Sequence, residues 1–391
     1  MRILVCPDSY KHSLSCTQVS EIIGEELESQ GYKLDLCPIA DGGEGTVDTF
    51  LYSLGGKRQN IKVRDPFGCV IDSYYGIKGN MAFIEMALAS GLQYLSDDEK
   101  NPWKTTTFGV GEMILDALDK GVKDILIGIG GSATNDVGIG MAQALGVRFF
   151  DEDCNEINGI SNGKMAGGDL INIKKIEIDG LDKRIKDINL TVLCDVDNPL
   201  CGENGASYVY APQKGADQEM VELLEKGVMY FSDLCIQQFN RNLNFAGAGA
   251  AGGLGAGLSL FCDAQLSSGI EVLIDYLNLE DRIKKADLVI VGEGQMDFQT
   301  VYGKAPAGIT KLAKKHGKDV IAIVGKVGKG FEKNFEVLKM DHIFSCYGEL
   351  EEVKLHTIRK HGEANLRKLM KEVSIKLPKI SLYKNQLTLM P

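Results

Sequence analysis

The segment VIVGEGQMDFQTVYGKAP, residues 289–306, joins an apolar run to three charged side chains. The apolar run Leu288–Val291 predicts a buried strand that stops at the next glycine. Glu293, Asp297 and Lys304 then follow, separated by small and polar residues. Two carboxylates and an ammonium group at the mouth of a buried strand mark this segment as a candidate functional site.

Strands and helices alternate on both sides of this segment and again at the N-terminus. Short apolar runs that alternate with helical patterns are typical of parallel sheets. The predicted strands are 2–6, 33–39, 287–291, 319–324 and 342–346, and the predicted helices are 15–30, 46–54, 307–316 and 331–338, followed by a charged C-terminal helix. Ser15 and Gln18 have the spacing of a capping box at the first helix.

The middle of the chain has a different rhythm. Short β-rich runs separated by turn residues predict antiparallel hairpins over 61–63, 70–77 and 81–86, before helix 108–120, strand 124–129, helix 139–145 and strand 192–196. The sequence therefore predicts two α/β domains with an active site in the cleft between them. Residues 1–60 plus 281–391 form a Rossmann/flavodoxin-like domain with a mainly parallel sheet, and residues 61–280 form a mixed α+β domain inserted into it.

Composition restricts the function classes. The chain is 44% hydrophobic and 25% charged, as expected of a globular protein, and its net charge of −11 argues against a nucleic-acid or anionic-membrane binder. No apolar stretch approaches the roughly 18 residues that a membrane span needs. Its 10 cysteines contain no Cys-x-x-Cys pair, which favours reduced thiols in a cytoplasmic protein.

Carboxylates recur where predicted strands end. In α/β sheets, ligands bind outside the carboxyl ends of the strands, near helix N-termini. Any one of these acids could be an ordinary cap or turn residue. Several carboxylates around one cleft suit Mg²⁺, which takes oxygen ligands and retains several waters. The strand-end acids are Asp8, Asp41, Asp136, Asp195, Asp197, Glu293 and Asp297.

Two glycine-rich segments could hold phosphate, because glycine lets backbone N–H groups approach an anion closely. GAGAAGGLGAG (247–257) does not follow a buried strand, whereas GIGGSA (128–133) follows the strand DILI and precedes a helix. Asp151 and Asp153, about 20 residues further on, satisfy a loose dinucleotide-binding pattern. An NAD-dependent dehydrogenase of a small hydroxy acid therefore stays open as an alternative.

Other chemistries are disfavoured by the local sequence. Gly303-Lys304 is followed by Ala305, and neither it nor Gly325-Lys326 has the upstream glycine of a Walker A loop. There is no G-x-S-x-G nucleophile motif, and the 5 histidines are scattered. The chain is therefore not expected to be a P-loop NTPase, a serine hydrolase or a zinc enzyme.

Seven segments together resemble the type I (bacterial) glycerate kinase family, in order from residue 3 to about residue 325. They are CPDSYKHSLSC, PIADGGEGT, TTTFGVGE, IGIGGSATND, CDVDNPLCGENGASYVYAPQKGA, GAGAAGGLGAG and GEGQMDFQTVYGKAP. This chain has His12, Val137 and Phe298 where the family commonly has glycine.

The resemblance implies transfer of the γ-phosphoryl group of ATP to a hydroxyl of D-glycerate, usually giving 2-phosphoglycerate. It implies ATP as co-substrate, while the strand-end carboxylates predict Mg²⁺ as cofactor. We expect small-molecule partners, with neither nucleic acid nor membrane. Phosphoryl transfer depends on positioning and charge stabilisation, which carboxylates, lysines and glycine loops can supply.

We expect the following roles for individual residues. Asp195 is the first candidate for accepting the hydroxyl proton, Asp297 is the second, and Lys304 neutralises charge on the transferred group. The predicted substrate-binding residues are Asp8, Lys11, Asp41, Gly42, Gly43 and Asn198. The predicted phosphate-binding residues are Gly130, Gly131, Ser132, Gly252, Gly253 and Gly255. The predicted metal ligands are Glu293, Asp297 and Asp136.

Overall fold

The structure is a computed structural model that describes residues 1–11, 13–40, 42–43, 45–302, 305–347 and 355–380. Strands and helices alternate along most of this range. The strands are β1 (Arg2–Pro7), β2 (Lys33–Leu36), β3 (Lys57–Arg64), β4 (Val70–Lys78), β5 (Met81–Glu85), β6 (Asp124–Gly128), β7 (Arg148–Phe150), β8 (Lys175–Glu177), β9 (Asn189–Leu193), β10 (Gln265–Ser267), β11 (Leu288–Met296), β12 (Asp319–Val327) and β13 (His342–Ser345).

The helices are mostly short, apart from two long ones in the second half of the chain. They are α1 (Cys16–Glu28), α2 (Thr46–Leu54), α3 (Ala87–Ser90), α4 (Phe108–Asp119), α5 (Ile139–Ala144), α6 (Ala206–Tyr210), α7 (Gln218–Phe239), α8 (Ala250–Cys262), α9 (Gly269–Tyr276), α10 (Leu279–Lys285), α11 (Ala305–Lys315), α12 (Lys333–Leu338) and α13 (Leu355–Ile380). No helix in the described ranges is long and apolar enough to cross a membrane.

The chain divides into two compact units. Unit 1 contains Met1–Asp41, Asp48–Gly55 and Gly269–Pro391, and unit 2 contains Gly42–Val47 and Gly56–Ser268. The chain therefore leaves unit 1 and returns to it. The domain boundaries at 60/61 and 280/281 stay a prediction of the sequence, beside these divisions at 55/56 and 268/269.

Unit 1 has a five-stranded sheet in the order β13-β12-β11-β1-β2, in which every neighbouring pair is parallel. Numbered along the chain within the unit, this is the 2-1-3-4-5 order of flavodoxin-like folds. One face carries residues such as Val5, Ile290 and Ile323, which form a core with α1 and α13. Helices α10 and α11 contact the strands as well. The predicted parallel Rossmann/flavodoxin-like sheet is confirmed.

The first helix shows how local sequence starts an element. The Ser15 hydroxyl accepts the Gln18 N–H at 3.2 Å, and Gln18 Oε1 accepts the Ser15 N–H at 2.9 Å. This reciprocal pair is the predicted capping box, and it satisfies two N–H groups that the helix itself cannot pair. Helix α1 then buries its apolar positions against the sheet, including Val19, Ile23 and Leu27.

Unit 2 has a six-stranded mixed sheet in the order β10-β9-β6-β5-β4-β3. Strands β5, β6, β9 and β10 are parallel, and β3 and β4 add an antiparallel edge. Strands β7 and β8 form a separate antiparallel pair. The predicted mixed sheet and its hairpins are confirmed, and the fold is of the α/β class.

Two features of the glycine-rich part of unit 2 differ from the sequence expectation. Residues 250–262 are helical instead of forming an open loop, and Ala251, Gly252 and Gly253 have left-handed backbone angles at a kink. Helix α7, 22 residues long, was not among the predicted elements. Its Asp217 side chain caps the helix by accepting the Met220 N–H at 2.8 Å.

Candidate active site

The order in which the chain adds strands to the sheet of unit 1 reverses between β1 and β11. From β1 the chain proceeds to β2 on one side, whereas from β11 it proceeds to β12 on the other. Open α/β sheets bind ligands at the carboxyl ends of such a pair of strands, where the connections leave a crevice. Asp8 follows β1 there, and its N–H donates to the Gly292 carbonyl of β11 at 2.9 Å.

Glu293 lies within β11, not after it. The apolar run was expected to end the strand near Val291, but β11 continues to Met296. That expectation was wrong because the glycines serve close packing and do not terminate the strand. A Cβ on Gly294 would lie 3.1 Å from the Lys11 nitrogen and 3.2 Å from the Tyr10 Cα. Glycine therefore lets the segment after β1 lie against β11.

Glu293 and Asp297 are joined through one hydroxyl group. Thr300 Oγ1 donates to Glu293 Oε1 at 2.7 Å and accepts the Asp297 N–H at 3.3 Å. Glu293 is 5% exposed and Thr300 is fully buried. The Asp297 carboxylate is half-buried and accepts the Gln299 N–H at 2.8 Å and Gln295 Nε2 at 3.1 Å. Two predicted metal ligands therefore share one corner of the strand edge.

Asp8 and Lys11 lie on the loop after β1. Asp8 is half-buried and accepts the Ser9 N–H, while Lys11 is exposed. Burial raises the pKa of the Cys16 thiol to about 11, and the negative charge of Asp8 adds to that shift. The predicted residues Asp41 and Lys304 lie outside the described residues.

The parallel strands of unit 2 form a second edge. Glu85, Gly128 and Leu193 are in register at the ends of β5, β6 and β9. Gly42 lies on this row, because its carbonyl accepts the Gly130 N–H at 3.2 Å. A Cβ on Gly42 would be 2.9 Å from the Leu193 Cβ.

Close contacts and backbone angles explain why glycine occupies several positions on this edge. A Cβ on Gly130 would be 2.9 Å from the Gly43 Cα, so the predicted substrate and phosphate segments touch each other. Gly131 has a positive φ of 74°, and its carbonyl accepts the Leu92 N–H at 3.0 Å. Ser132, which is mostly buried, pairs with Gly91 in an isolated bridge.

Glu85 lies on this row of strand ends and was not among the residues predicted from the sequence. Its carboxylate accepts the Val47 N–H at 2.6 Å and the Gly45 N–H at 3.2 Å. The signal was present, since Glu85 is a strand-end acid like those that were singled out. It was passed over because the strand was expected to run one residue further, to Met86.

Asp195 and Asn198 follow β9, which ends at Leu193 and not at the expected Val196. Asp195 is exposed and accepts the Ser268 hydroxyl at 3.0 Å. The Asn198 amide is used within its own loop: Oδ1 accepts the Tyr210 hydroxyl at 2.6 Å and Nδ2 donates to the Asn204 carbonyl at 2.9 Å.

Asp136 is a buried anchor for the loop between β6 and α5. Oδ2 accepts the Thr107 N–H and Oγ1, each at 2.8 Å, and the Gly140 N–H at 3.3 Å, while Oδ1 accepts the Gly138 N–H at 3.0 Å. Burial raises the pKa of Asp136, and the bonds from Thr107 and the glycines act against that shift. A carboxylate held by four donors in this way fits a structural role and does not fit a metal ligand.

Gly252, Gly253 and Gly255 are packing residues in the structure. A Cβ on Gly252 would be 2.0 Å from the Thr134 carbonyl oxygen, and one on Gly253 would be 2.9 Å from the Val137 Cα. Val137 beside them has a left-handed φ of 51°. These contacts explain the glycines without a bound phosphate.

Lys214 is 1% exposed beneath the same loop, and its Nζ donates to the Thr134 carbonyl at 2.6 Å. Burial lowers the pKa of Lys214 to about 7, against the opposing effect of the Asp136 charge. The ammonium group therefore fixes the main chain that packs on Gly252.

Comparisons with known proteins identify the family of the chain. Residues 3–377 match the glycerate kinase family. Glycerate kinase of Halalkalibacterium halodurans is 42% identical over 380 residues, which cover 95% of this chain and 97% of that protein. Glycerate 2-kinase of Escherichia coli is 43% identical over 333 residues, which cover 84% of this chain and 86% of that protein.

A solved structure has the same fold along nearly the whole chain. It comes from Salmonella typhimurium LT2, carries the provisional name glycerate kinase 2, and has a TM-score of 0.84 and 41% sequence identity. The alignment covers 98% of this chain and 99% of that one. With matches of this length and identity, the chain belongs to the glycerate kinase family.

Proposed function

We propose that this chain transfers the γ-phosphoryl group of ATP to a hydroxyl of D-glycerate and that the product is 2-phosphoglycerate. The observation that carries the proposal is the pair Glu293 and Asp297, tied to one threonine at the switch point of a flavodoxin-like sheet in a chain of the glycerate kinase family. The E. coli relative named glycerate 2-kinase supports position 2 of the substrate.

In this proposal Asp195 orients the attacking hydroxyl and accepts its proton. Asp195 is exposed at the end of β9, so a substrate can reach it, and Ser268 Oγ holds one carboxylate oxygen at 3.0 Å. The Asp195 carboxylate is proposed to receive the proton of the substrate hydroxyl as the new O–P bond forms and the bond between the γ-phosphorus and ADP breaks. Lys304 is proposed to offset the negative charge of the transferred group.

Mg²⁺ fits the corner formed by Glu293 and Asp297. Both side chains offer carboxylate oxygens, the ligand type that Mg²⁺ prefers, and one or two carboxylates with phosphate oxygens and waters satisfy its usual coordination. Bound there, Mg²⁺ would neutralise phosphate charge. Among the described residues no group of three or more His, Cys, Asp or Glu side chains is placed to hold a metal. Asp136, which the sequence predicted as a metal ligand, is left out of this proposal because both of its carboxylate oxygens accept N–H groups of the protein.

Backbone groups are proposed to hold the anionic parts of the substrates. The candidates in unit 2 are the N–H groups of Gly42, Gly43, Gly131 and Ser132, near the row of strand ends, whereas the Gly130 N–H already donates to the Gly42 carbonyl. Asp8 and Lys11 are proposed to bind glycerate from the loop after β1, and Asp41 is proposed to act with its glycine pair. The Asn198 amide and the three glycines of α8 are engaged in contacts within the protein, so their binding roles stay predictions of the sequence.

The dehydrogenase alternative is not favoured. A nucleotide ribose would need an acid at the end of a parallel strand beside the glycine-rich turn. Asp151 instead follows β7, which pairs antiparallel with β8 outside the six-stranded sheet. Its carboxylate accepts the N–H groups of Asp153 and Asn155, each at 2.9 Å, in an exposed turn.

A direct assay tests the proposed reaction. Purified protein is incubated with D-glycerate, ATP and Mg²⁺, and phosphorus NMR identifies the product. The proposal expects 2-phosphoglycerate and stoichiometric ADP. Formation of the 3-phosphate would correct the position, and unchanged ATP with a glycerate-dependent change in nicotinamide absorbance would replace the kinase by a dehydrogenase.

A further inference from the structure

One buried carboxylate holds a whole segment of unit 2. Glu85, the last residue of β5, is 3% exposed and lies 38 to 40 residues along the chain from the two N–H groups that it accepts. Those groups belong to Gly45 and Val47, in the segment Gly42–Val47. A hydrogen bond from a backbone N–H to an ionised carboxylate is stronger than one between neutral groups. Two such bonds make Glu85 an attachment point for this segment.

The segment is fixed at its other end as well. The Gly42 carbonyl accepts the Gly130 N–H at 3.2 Å, and Gly42 packs against Leu193 so closely that a Cβ would lie 2.9 Å away. Since Glu85, Gly128 and Leu193 are in register, the segment crosses the ends of three parallel strands. Its described residues, 42–43 and 45–47, are therefore held by one side chain, one main-chain bond and one close contact.

The two bonded N–H groups also belong to the start of α2. The first N–H groups of a helix have no partner inside it and carry partial positive charge. An anion at that position stabilises the helix, and in this chain Glu85 supplies it from a distant strand. The start of α2 is thus occupied by the protein's own carboxylate, and the glycine pair that is proposed to bind substrate precedes it in the chain.

We infer that Glu85 is a positioning residue, which holds the Gly42–Gly43 turn in place to bind D-glycerate. This inference rests on the proposed function, because it assigns the turn to that substrate. Glu85 acts through the segment and transfers no proton. Its loss should weaken glycerate binding more than it slows the chemical step.

Glu85→Gln tests this role with little change in size. The amide retains one acceptor oxygen but sets an NH₂ group against the second N–H, so one bond is lost and a repulsion replaces it. We expect KM for D-glycerate to rise about 10-fold or more, with a smaller change in kcat. Glu85→Asp, which keeps the charge and loses reach, is measured in parallel in case the glutamine variant does not fold.

Glu112→Gln is the matched control. Glu112 is also a partly buried carboxylate of unit 2, and it accepts the Arg64 N–H and the Arg64 guanidinium, each at 2.6 Å. Those contacts join α4 to β3, the outermost strand of the six-stranded sheet, and involve no residue of the segment Gly42–Val47. The control should lose stability and keep the wild-type KM for D-glycerate. An equal rise of KM in both variants would mean general destabilisation and would overturn the inference.

Hydrogen exchange separates this inference from the proposed function. In Glu85→Gln, the amides of Gly45 and Val47 should exchange about 10-fold faster, with β6 unchanged, and they should be unaffected in Glu112→Gln. If the wild type does not phosphorylate glycerate, the proposed function fails and exchange alone decides whether Glu85 holds the segment. Unchanged exchange in both Glu85 variants would refute the positioning role, whatever the substrate.

Discussion

Thr300 donates its hydroxyl proton to Glu293 Oε1 at 2.7 Å and accepts the Asp297 N–H with the same oxygen at 3.3 Å. The bond orients the Glu293 carboxylate and places it beside the turn that carries Asp297. Because Thr300 is fully buried, water cannot replace this arrangement when the hydroxyl is removed. The threonine is therefore a means of testing the metal corner without touching its proposed ligands.

The first prediction concerns Mg²⁺. EDTA should abolish turnover and added Mg²⁺ should restore it. Thr300→Val keeps the shape of the side chain but removes the hydroxyl bond that orients Glu293 Oε1, so the Mg²⁺ concentration for half-maximal rate should rise about 10-fold, equivalent to about 1.4 kcal/mol. The measurement is the initial rate against Mg²⁺ concentration at saturating ATP and D-glycerate.

Thr310→Val is the control for this experiment. Thr310 is likewise buried and its hydroxyl donates to the Pro306 carbonyl at 2.7 Å inside α11. It should leave the Mg²⁺ requirement unchanged. Full activity in EDTA would remove the metal from the mechanism, and an equal shift in both threonine variants would remove the specific role of Thr300.

The second prediction separates Asp195 from Asp297. A group that accepts the hydroxyl proton should affect the chemical step, whereas a metal ligand should also affect the Mg²⁺ requirement. Asp195→Asn should therefore lower kcat by about 100-fold or more with a near-normal KM for ATP. Asp297→Asn should raise the Mg²⁺ concentration for half-maximal rate.

Asp197→Asn serves as the control, since Asp197 is also exposed two residues beyond Asp195. Its kinetics should remain close to those of the wild type. If Asp195→Asn alters the Mg²⁺ requirement and Asp297→Asn does not, the two roles are exchanged.

The third prediction concerns Lys304, which is argued from sequence. Lys304→Ala removes a positive charge that is proposed to stabilise the transferred phosphoryl group. Loss of such a preorganised group costs about 100-fold or more in kcat. The melting temperature should change little. Lys311→Ala, at an exposed position of α11, is the control and should keep the wild-type kcat. If Lys304→Ala also keeps the wild-type kcat, Lys304 has no catalytic role.

The elements of unit 1 could be predicted because each has a strong local pattern. Buried parallel strands such as β1 and β12 are continuous apolar runs, and a capping box announces α1. The end of β11 could not be predicted in the same way. Gly294 interrupts its pattern for a reason that lies in the contact with Tyr10 and Lys11, which are far away in sequence.

The site was harder to predict than the fold. A strand-end acid has the same sequence appearance whether it faces solvent, as Asp195 does, or is held by four buried donors, as Asp136 is. Glu85 requires knowledge of the Gly42–Val47 segment, whose N–H groups it accepts. Glycine-rich stretches were also ambiguous, because close packing and phosphate binding select the same residue for the same steric reason.

The fourth prediction tests that ambiguity at Gly252. Gly252→Ala places a Cβ in a left-handed residue, φ +68°, and 2.0 Å from the Thr134 carbonyl oxygen, so the loop must move. Left-handed backbone and overpacking together should lower the free energy of unfolding by about 2–4 kcal/mol. Gly121→Ala is the control, since its φ is +80° with no atom within 4 Å, and it should cost only about 1 kcal/mol. Equal losses, measured by urea unfolding, would contradict the packing role.

The fifth prediction follows from the buried ammonium of Lys214. Its pKa is about 7 in the folded chain, because burial disfavours the charged form, against an ordinary value of 10.5. Below pH 7 Lys214 is protonated in both the folded and the unfolded chain, so folding bears the full free-energy cost of burying its charge. Between pH 7 and pH 10.5 the unfolded chain binds more protons than the folded one, so the free energy of unfolding rises with pH.

Lys214→Met removes this titration while keeping a long side chain in the buried space. Relative to that variant, the wild type should gain about 2 kcal/mol of stability between pH 7 and pH 9, since a full pKa unit corresponds to about 1.4 kcal/mol. Urea unfolding of both proteins at pH 7, 8 and 9 gives the difference directly, and other titrating groups cancel. Lys226→Met, at an exposed position of α7, is measured in parallel as the control for replacing a lysine by methionine. If the difference in free energy of unfolding between the wild type and Lys214→Met were instead the same at all three pH values, Lys214 would not lose its proton in the folded chain. The hydrogen bond to the Thr134 carbonyl would then come from a lysine that stays charged.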